Sequence, residues 1–118
     1  MQQQMSAFEH YEHGLVLKKV HMFNQAIDDF TKAALDPVFA GKAQLQIALC
    51  LKSAGRYEEA VMAFRRALSA GPFSPVEERH VRYLLGQTLE LVDRQEESLE
   101  IYEAIRKAAP GFLDVAQR

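Results

Sequence analysis

The sequence predicts an all-α protein made of three stacked helical hairpins, and three observations carry that reading. Residues that favour helix (Ala, Leu, Glu, Gln, Lys, Arg) abound, while strand formers are sparse. Laid against itself at a shift of 34 residues, the chain places Gly14 on Ala48, Leu17 on Leu51, Phe23 on Tyr57, Ala26 on Ala60, Phe30 on Phe64 and Ala33 on Ala67. A further shift of 38 carries the same set onto Gly86, Leu89, Gln95, Ser98, Tyr102 and Ile105. A single hairpin of this size cannot bury its apolar face, so the units are expected to stack as an α-solenoid.

Six helices follow in order, at about 6–20, 23–35, 38–54, 57–70, 75–92 and 95–108. Ser6 with Glu9 opens the first and Ser74 with Glu77 the fifth, each as a Ser-x-x-Glu capping box. Pro75 then occupies the first helical position, where a missing N–H costs no hydrogen bond. Gly55 stops the third helix, and Gly71-Pro72 stops the fourth. Within the second unit Leu45, Ala48, Leu49 and Lys52 share one face, and Tyr57, Ala60, Phe64, Ala67 and Leu68 recur at helical spacing. The four residues gained between the second and third units lie near Pro75–Glu78 and add about one turn at the start of the fifth helix. Small residues recur where helix axes must approach: Gly14, Ala48 and Gly86 in the first helices, and Ala26, Ala60 and Ser98 in the second. The rings of Phe30, Phe64 and Tyr102 fill the remaining space.

Residues 1–5 read as an N-terminal tail, and 6–118 as one domain with units at about 7–40, 41–74 and 75–112. Residues 112–118 read as the start of a capping helix, with Phe112, Leu113, Val115 and Ala116 as its apolar positions. So short a cap leaves the third unit uncovered, which is expected to be met by further chain or by a second copy.

Composition narrows the function. The 118 residues are 48% apolar and 25% charged, with a formal net charge of −2, which disfavours a nucleic-acid binder. Charge is uneven: residues 7–40 hold three basic against five acidic side chains, 41–74 five against two, and 75–118 six against nine. No apolar run is long enough to span a membrane. The start lacks the basic and apolar blocks of a signal peptide, so a cytoplasmic location is expected. Cys50, the one cysteine, sits between Leu49 and Leu51 and reads as a buried, inert thiol. His10, His13 and His21 lie close together in the first unit, but they stand at framework positions and no metal is assigned to them. Glu58-Glu59 and Glu96-Glu97 read as solvated helix starts, and Arg65-Arg66 as an exposed helix face. With no phosphate loop, nucleophile elbow or paired carboxylates, neither an enzyme nor a cofactor site is expected.

The units resemble the tetratricopeptide repeat, a unit of about 34 residues with the pattern W-x2-L-G-x2-Y, then A-x3-F, then P. The first half reads His10, His13, Gly14, Leu17, then Gln44, Ile47, Ala48, Leu51, then Arg82, Leu85, Gly86, Leu89. The second half reads Ala26 and Phe30, Ala60 and Phe64, Ser98 and Tyr102, and Pro37, Pro72 and Pro110 close the units. All three lack the tryptophan, and the third departs furthest, with Gln95 and Ser98. The resemblance spans roughly residues 7–112 and implies hairpins wound as a right-handed superhelix.

It also implies a scaffold or adaptor that binds a peptide or helix of a partner protein in a concave groove lined by the first helices. By repeat register that groove presents Phe8, Tyr11, Leu15, Leu45, Leu49 and Tyr83, surrounded by Lys18, Lys19, Lys42, Lys52, His80, Gln87 and Glu90. Apolar groups at the centre and lysines at one side suit a segment with apolar anchors and some acidic residues. Tyr11, Leu49 and Tyr83 are the expected central anchors. Alternatives are a secretion chaperone, a heat-shock co-chaperone and a repeat segment of a larger regulatory protein. The co-chaperone clamp of lysines, asparagines and an arginine is absent, since its positions hold Tyr11, Leu15, Gln46, His80 and Leu84.

Overall fold

The computed structural model describes residues 4–112, and these form α1 (Ala7–Lys19), α2 (Phe23–Ala33), α3 (Ala40–Ser53), α4 (Tyr57–Ala70), α5 (Pro75–Leu91) and α6 (Gln95–Ala108). Among the described residues there is no strand. Every helix packs on the next, and α1 also touches α3. Three hairpins therefore stack along a body of 56 × 27 × 20 Å, with the first helices along one side. The expected all-α solenoid is the observed one. The third helix opens two residues later than expected, because 34–39 form turns around Pro37. The expected capping helix falls mostly on residues 113–118, outside the described residues.

Each hairpin closes with the same turn. His21, Gly55 and Asp93 take left-handed φ of 64°, 80° and 61°. Their N–H groups donate to the carbonyls of Lys18, Lys52 and Glu90, and the next residues, Met22, Arg56 and Arg94, donate to Leu17, Leu51 and Leu89 at 2.8–2.9 Å. This pair of bonds is the Schellman arrangement that satisfies the last free carbonyls of a helix. His21 is thus a turn residue, stacked on Phe23 at 5.4 Å, rather than a framework one.

The core runs through all three units. Ala26, Phe30, Ala48, Ala60, Phe64, Ala67 and Leu89 are wholly buried, and Tyr102 nearly so. Burying each such Phe or Leu contributes about 1.5–3 kcal/mol. The small-residue rule has a direct measure here: a Cβ added at Gly14 would stand 2.6 Å from the Phe30 ring, and one at Gly86 2.7 Å from Tyr102. Ser98 keeps the close approach of the alanines it replaces, because its hydroxyl donates to the Gly86 carbonyl at 2.9 Å. The extra residues of the third unit do lengthen its first helix: α5 has 17 residues and α3 has 14.

Both capping boxes form. The Ser6 and Ser74 N–H groups donate to Glu9 and Glu77 at 2.9 and 2.8 Å. Those bonds hold both carboxyls below their ordinary value near 4.5. The folded chain therefore favours the charged form, so this stabilisation is present above about pH 4.5 and is lost as pH falls through the lower folded value. Glu77→Gln keeps an acceptor at the cap and removes the titration. Its unfolding midpoint, followed by circular dichroism from neutral to acid pH, is expected to fall less steeply below about pH 4.5 than that of the parent. An unchanged slope would exclude Glu77 as a contributor.

Candidate functional site

Side chains from all three first helices meet in one cleft of 350 Å³, lined by Tyr11 of α1, Lys42 and Leu45 of α3, Phe73, and Val76, Glu77, His80, Val81 and Leu84 of α5. Four of the residues expected in the groove, Tyr11, Lys42, Leu45 and His80, are thus brought together. Tyr11, Leu45, Phe73 and Leu84 are half-buried and pack on the core, while Val76 is 55% exposed. The Tyr11 ring meets Phe30 and Phe39 at 5.6 and 5.7 Å, and Phe8, 58% exposed, continues the aromatic surface onto Phe39 at 6.4 Å. Burial pushes the Tyr11 hydroxyl above its usual value, so it stays neutral. The Lys42 ammonium lies 5.6 Å from the centre of the Phe39 ring, a cation–π distance. Glu77 also faces the cleft, but its carboxylate serves the Ser74 cap.

A second depression, of 300 Å³, gathers Leu15, Lys18 and Lys19 with His21, Phe23 and Ser53 near the first hairpin turn. Polar bonds join the two: Lys18 Nζ donates to Gln46 Oε1 at 2.8 Å, and Gln46 Nε2 reaches the Tyr11 hydroxyl at 3.5 Å. Leu49, Lys52 and Gln87 are half-buried and line neither depression. Leu49 packs against the core as Leu45 does, but lies outside the cleft lining.

Tyr83 departs furthest from expectation. It is 7% exposed and packs on Tyr102 and Phe112 at 5.8 and 6.1 Å, with Phe112 also 5.1 Å from His80. Tyr83 is therefore not an open anchor. The cause is an aromatic that follows each closing proline: Phe39 after Pro37, Phe73 after Pro72, Phe112 after Pro110. Phe39 covers Tyr11, Phe73 shares the cleft with Leu45, and Phe112 covers Tyr83. The signal was legible as a third recurring aromatic, and it adds Phe73 to the cleft.

Two histidines assigned to the framework carry a polar contact instead. His10 Nδ1 and His13 Nδ1 bond the two carboxylate oxygens of Asp29 at 2.7 and 2.5 Å. Asp29 stands in register with Ala63 and Ile101, and His13 with Ile47 and Leu85. The first hairpin has no preceding neighbour among the described residues, and a hydrogen-bonded carboxylate replaces the apolar contact found in later units. Among the described residues, no group of three or more His, Cys, Asp or Glu is placed to hold a metal ion. Cys50 is buried, and that burial pushes its thiol pKa up. No described helix is long and apolar enough to cross a membrane.

Comparison with known proteins agrees with this architecture. The family model described as tetratricopeptide repeat matches residues 41–72, the second hairpin. Among 22 matching chains of solved structures is the crystal structure of MamA, 19% identical with a TM-score of 0.77. That alignment covers 94% of this chain and 63% of MamA, so this chain spans less than two thirds of the MamA chain. No curated protein sequence matches.

Proposed function

We propose that this chain, a tetratricopeptide-repeat protein, is an interaction module that holds a segment of another protein in the cleft between α1, α3 and α5. One observation carries the reading: apolar side chains from all three first helices converge on an open cleft, although the stacking core already has its own residues in Phe30, Ala48, Phe64 and Leu89. Large apolar groups gathered at an open surface mark a contact site. Tyr11, Leu45, Phe73 and Leu84 offer the floor, Val76 and Phe8 the edges, and Lys42 and His80 the polar rim. The fitting ligand is a short helix or extended segment with two or three apolar anchors and an acidic residue beside them. The lysine supplies orientation and on-rate more than affinity. A segment of that size binds at roughly micromolar strength, about −8 kcal/mol. The positions of a co-chaperone clamp favour this apolar ligand over a free acidic C-terminus, because Tyr11 and Leu84 make them part of the apolar floor.

A photo-crosslinking residue at Val76, with Met62 of α4 as an equally exposed control, tests the assignment in cells. A discrete protein adduct is expected from position 76 and none of the same mass from position 62. Identical adducts from both, or an adduct from 62 alone, would move the binding surface away from the cleft.

A further inference from the structure

A third depression lies away from the cleft, and its complement is found on the same chain. It measures 470 Å³ and sits between the end of α2, the start of α3 and the last turns of α4. Ala34, Ala40 and Ala70 line it, with Arg65 and Arg66 beside them. The adjoining connector leaves Leu35 84% exposed and Val38 67% exposed. Arg65 is engaged by Glu97. Arg66 gives its Nε to Gln44 at 3.3 Å, and among the described residues its terminal amino groups have no partner. The site therefore combines a shallow apolar floor, an exposed leucine and an uncompensated guanidinium.

The exposed face of α6 has the opposite character. Leu99 is 53% exposed, and Glu96 and Glu100 are exposed beside it on the same helical face. Neither carboxylate has an ion-pair partner among the described residues. We propose that α6 of one copy docks in the Arg66 depression of another. Leu99 meets the alanine floor and Leu35, and Glu100 or Glu96 meets the guanidinium. The occupant is a second copy because both halves of the contact, apolar and charged, are present and unmet on two patches of one chain. Two different patches make the contact heterologous, so each copy offers both and association runs on beyond the dimer. One helix face buries little area, which places its strength on the order of 100 μM. The proposal is independent of the cleft between α1, α3 and α5.

Sedimentation velocity of the full chain from about 10 μM to about 1 mM, at low and at high salt, is the test. The mass is expected to rise from the 13.4 kDa monomer through the dimer at low salt, and to fall back at high salt as the ion pair is screened. Arg66→Glu and Leu99→Ser, both at exposed positions and checked for folding by circular dichroism, are each expected to weaken association at least tenfold. An equimolar mixture of those two variants keeps one good patch on each chain, so it forms a dimer and nothing larger. Arg66→Glu combined with Glu100→Arg restores association. A wild type that stays monomeric throughout, single variants that assemble like wild type, or a mixture that stays monomeric would each overturn the proposal.

Discussion

Phe64→Ala is expected to lower the unfolding free energy by about 3–5 kcal/mol. Phe64 belongs to the middle hairpin, which is covered on both sides, and its side chain is wholly buried. Ala60 and Ala67, one turn before and after it on the same helix face, are wholly buried and too small to move into the space. The cavity therefore cannot collapse, and the loss sits at the high end of the range for large-to-small changes. A chain of this size has roughly 5–15 kcal/mol in all, so the variant is expected to melt at least about 15 °C lower. Phe8→Ala serves as control, since that ring is 58% exposed and its removal leaves the melting temperature nearly unchanged. Equal melting of the two variants would mean that Phe64 is not the centre of the stack.

Gly41→Ala is the second large effect. Gly41 opens α3 at the seam between hairpins, and its N–H donates to the Gly71 carbonyl at 2.8 Å. A Cβ at position 41 would lie 2.4 Å from that same oxygen. The obstacle is backbone, not the tip of a flexible side chain, so the end of α4 must move and the bond between the units weakens. Overpacking of this kind costs about 1–3 kcal/mol, and more where the neighbour is rigid. A loss of about 2 kcal/mol of unfolding free energy is expected from urea titration, against almost none for Gly111→Ala, where nothing among the described residues lies within 4 Å of the added Cβ. A neutral Gly41→Ala would show that the seam is looser than its geometry indicates.

Repetition made the fold legible and limited the reading of the site. A constant register identifies the residues that meet within a hairpin, and so Gly14 with Phe30 and Gly86 with Tyr102 were readable as close approaches. The capping serines were readable because their partners lie three residues away. Register does not say what covers a position from the next unit. Tyr11 and Tyr83 occupy the same place, yet Tyr11 borders an open cleft while Tyr83 lies under Phe112, where no fourth hairpin stands among the described residues. Register also puts Leu49 on the same face as Leu45, and both are half-buried against the core, but only Leu45 borders the cleft. The Asp29 contact is not legible from the repeat, because Asp29 and His13 stand where the later units carry apolar residues, and His10 joins them from a position that is polar in every unit.

The most direct test of the proposed function measures partner affinity and melting temperature together on Val76→Asp. Val76 is exposed at the cleft edge, so the substitution leaves the core untouched. Affinity for the crosslinked partner is expected to fall at least tenfold, about 1.4 kcal/mol, with the melting temperature within about 2 °C of the parent. Unchanged affinity in a folded Val76→Asp protein would contradict the account and place the partner elsewhere on the solenoid.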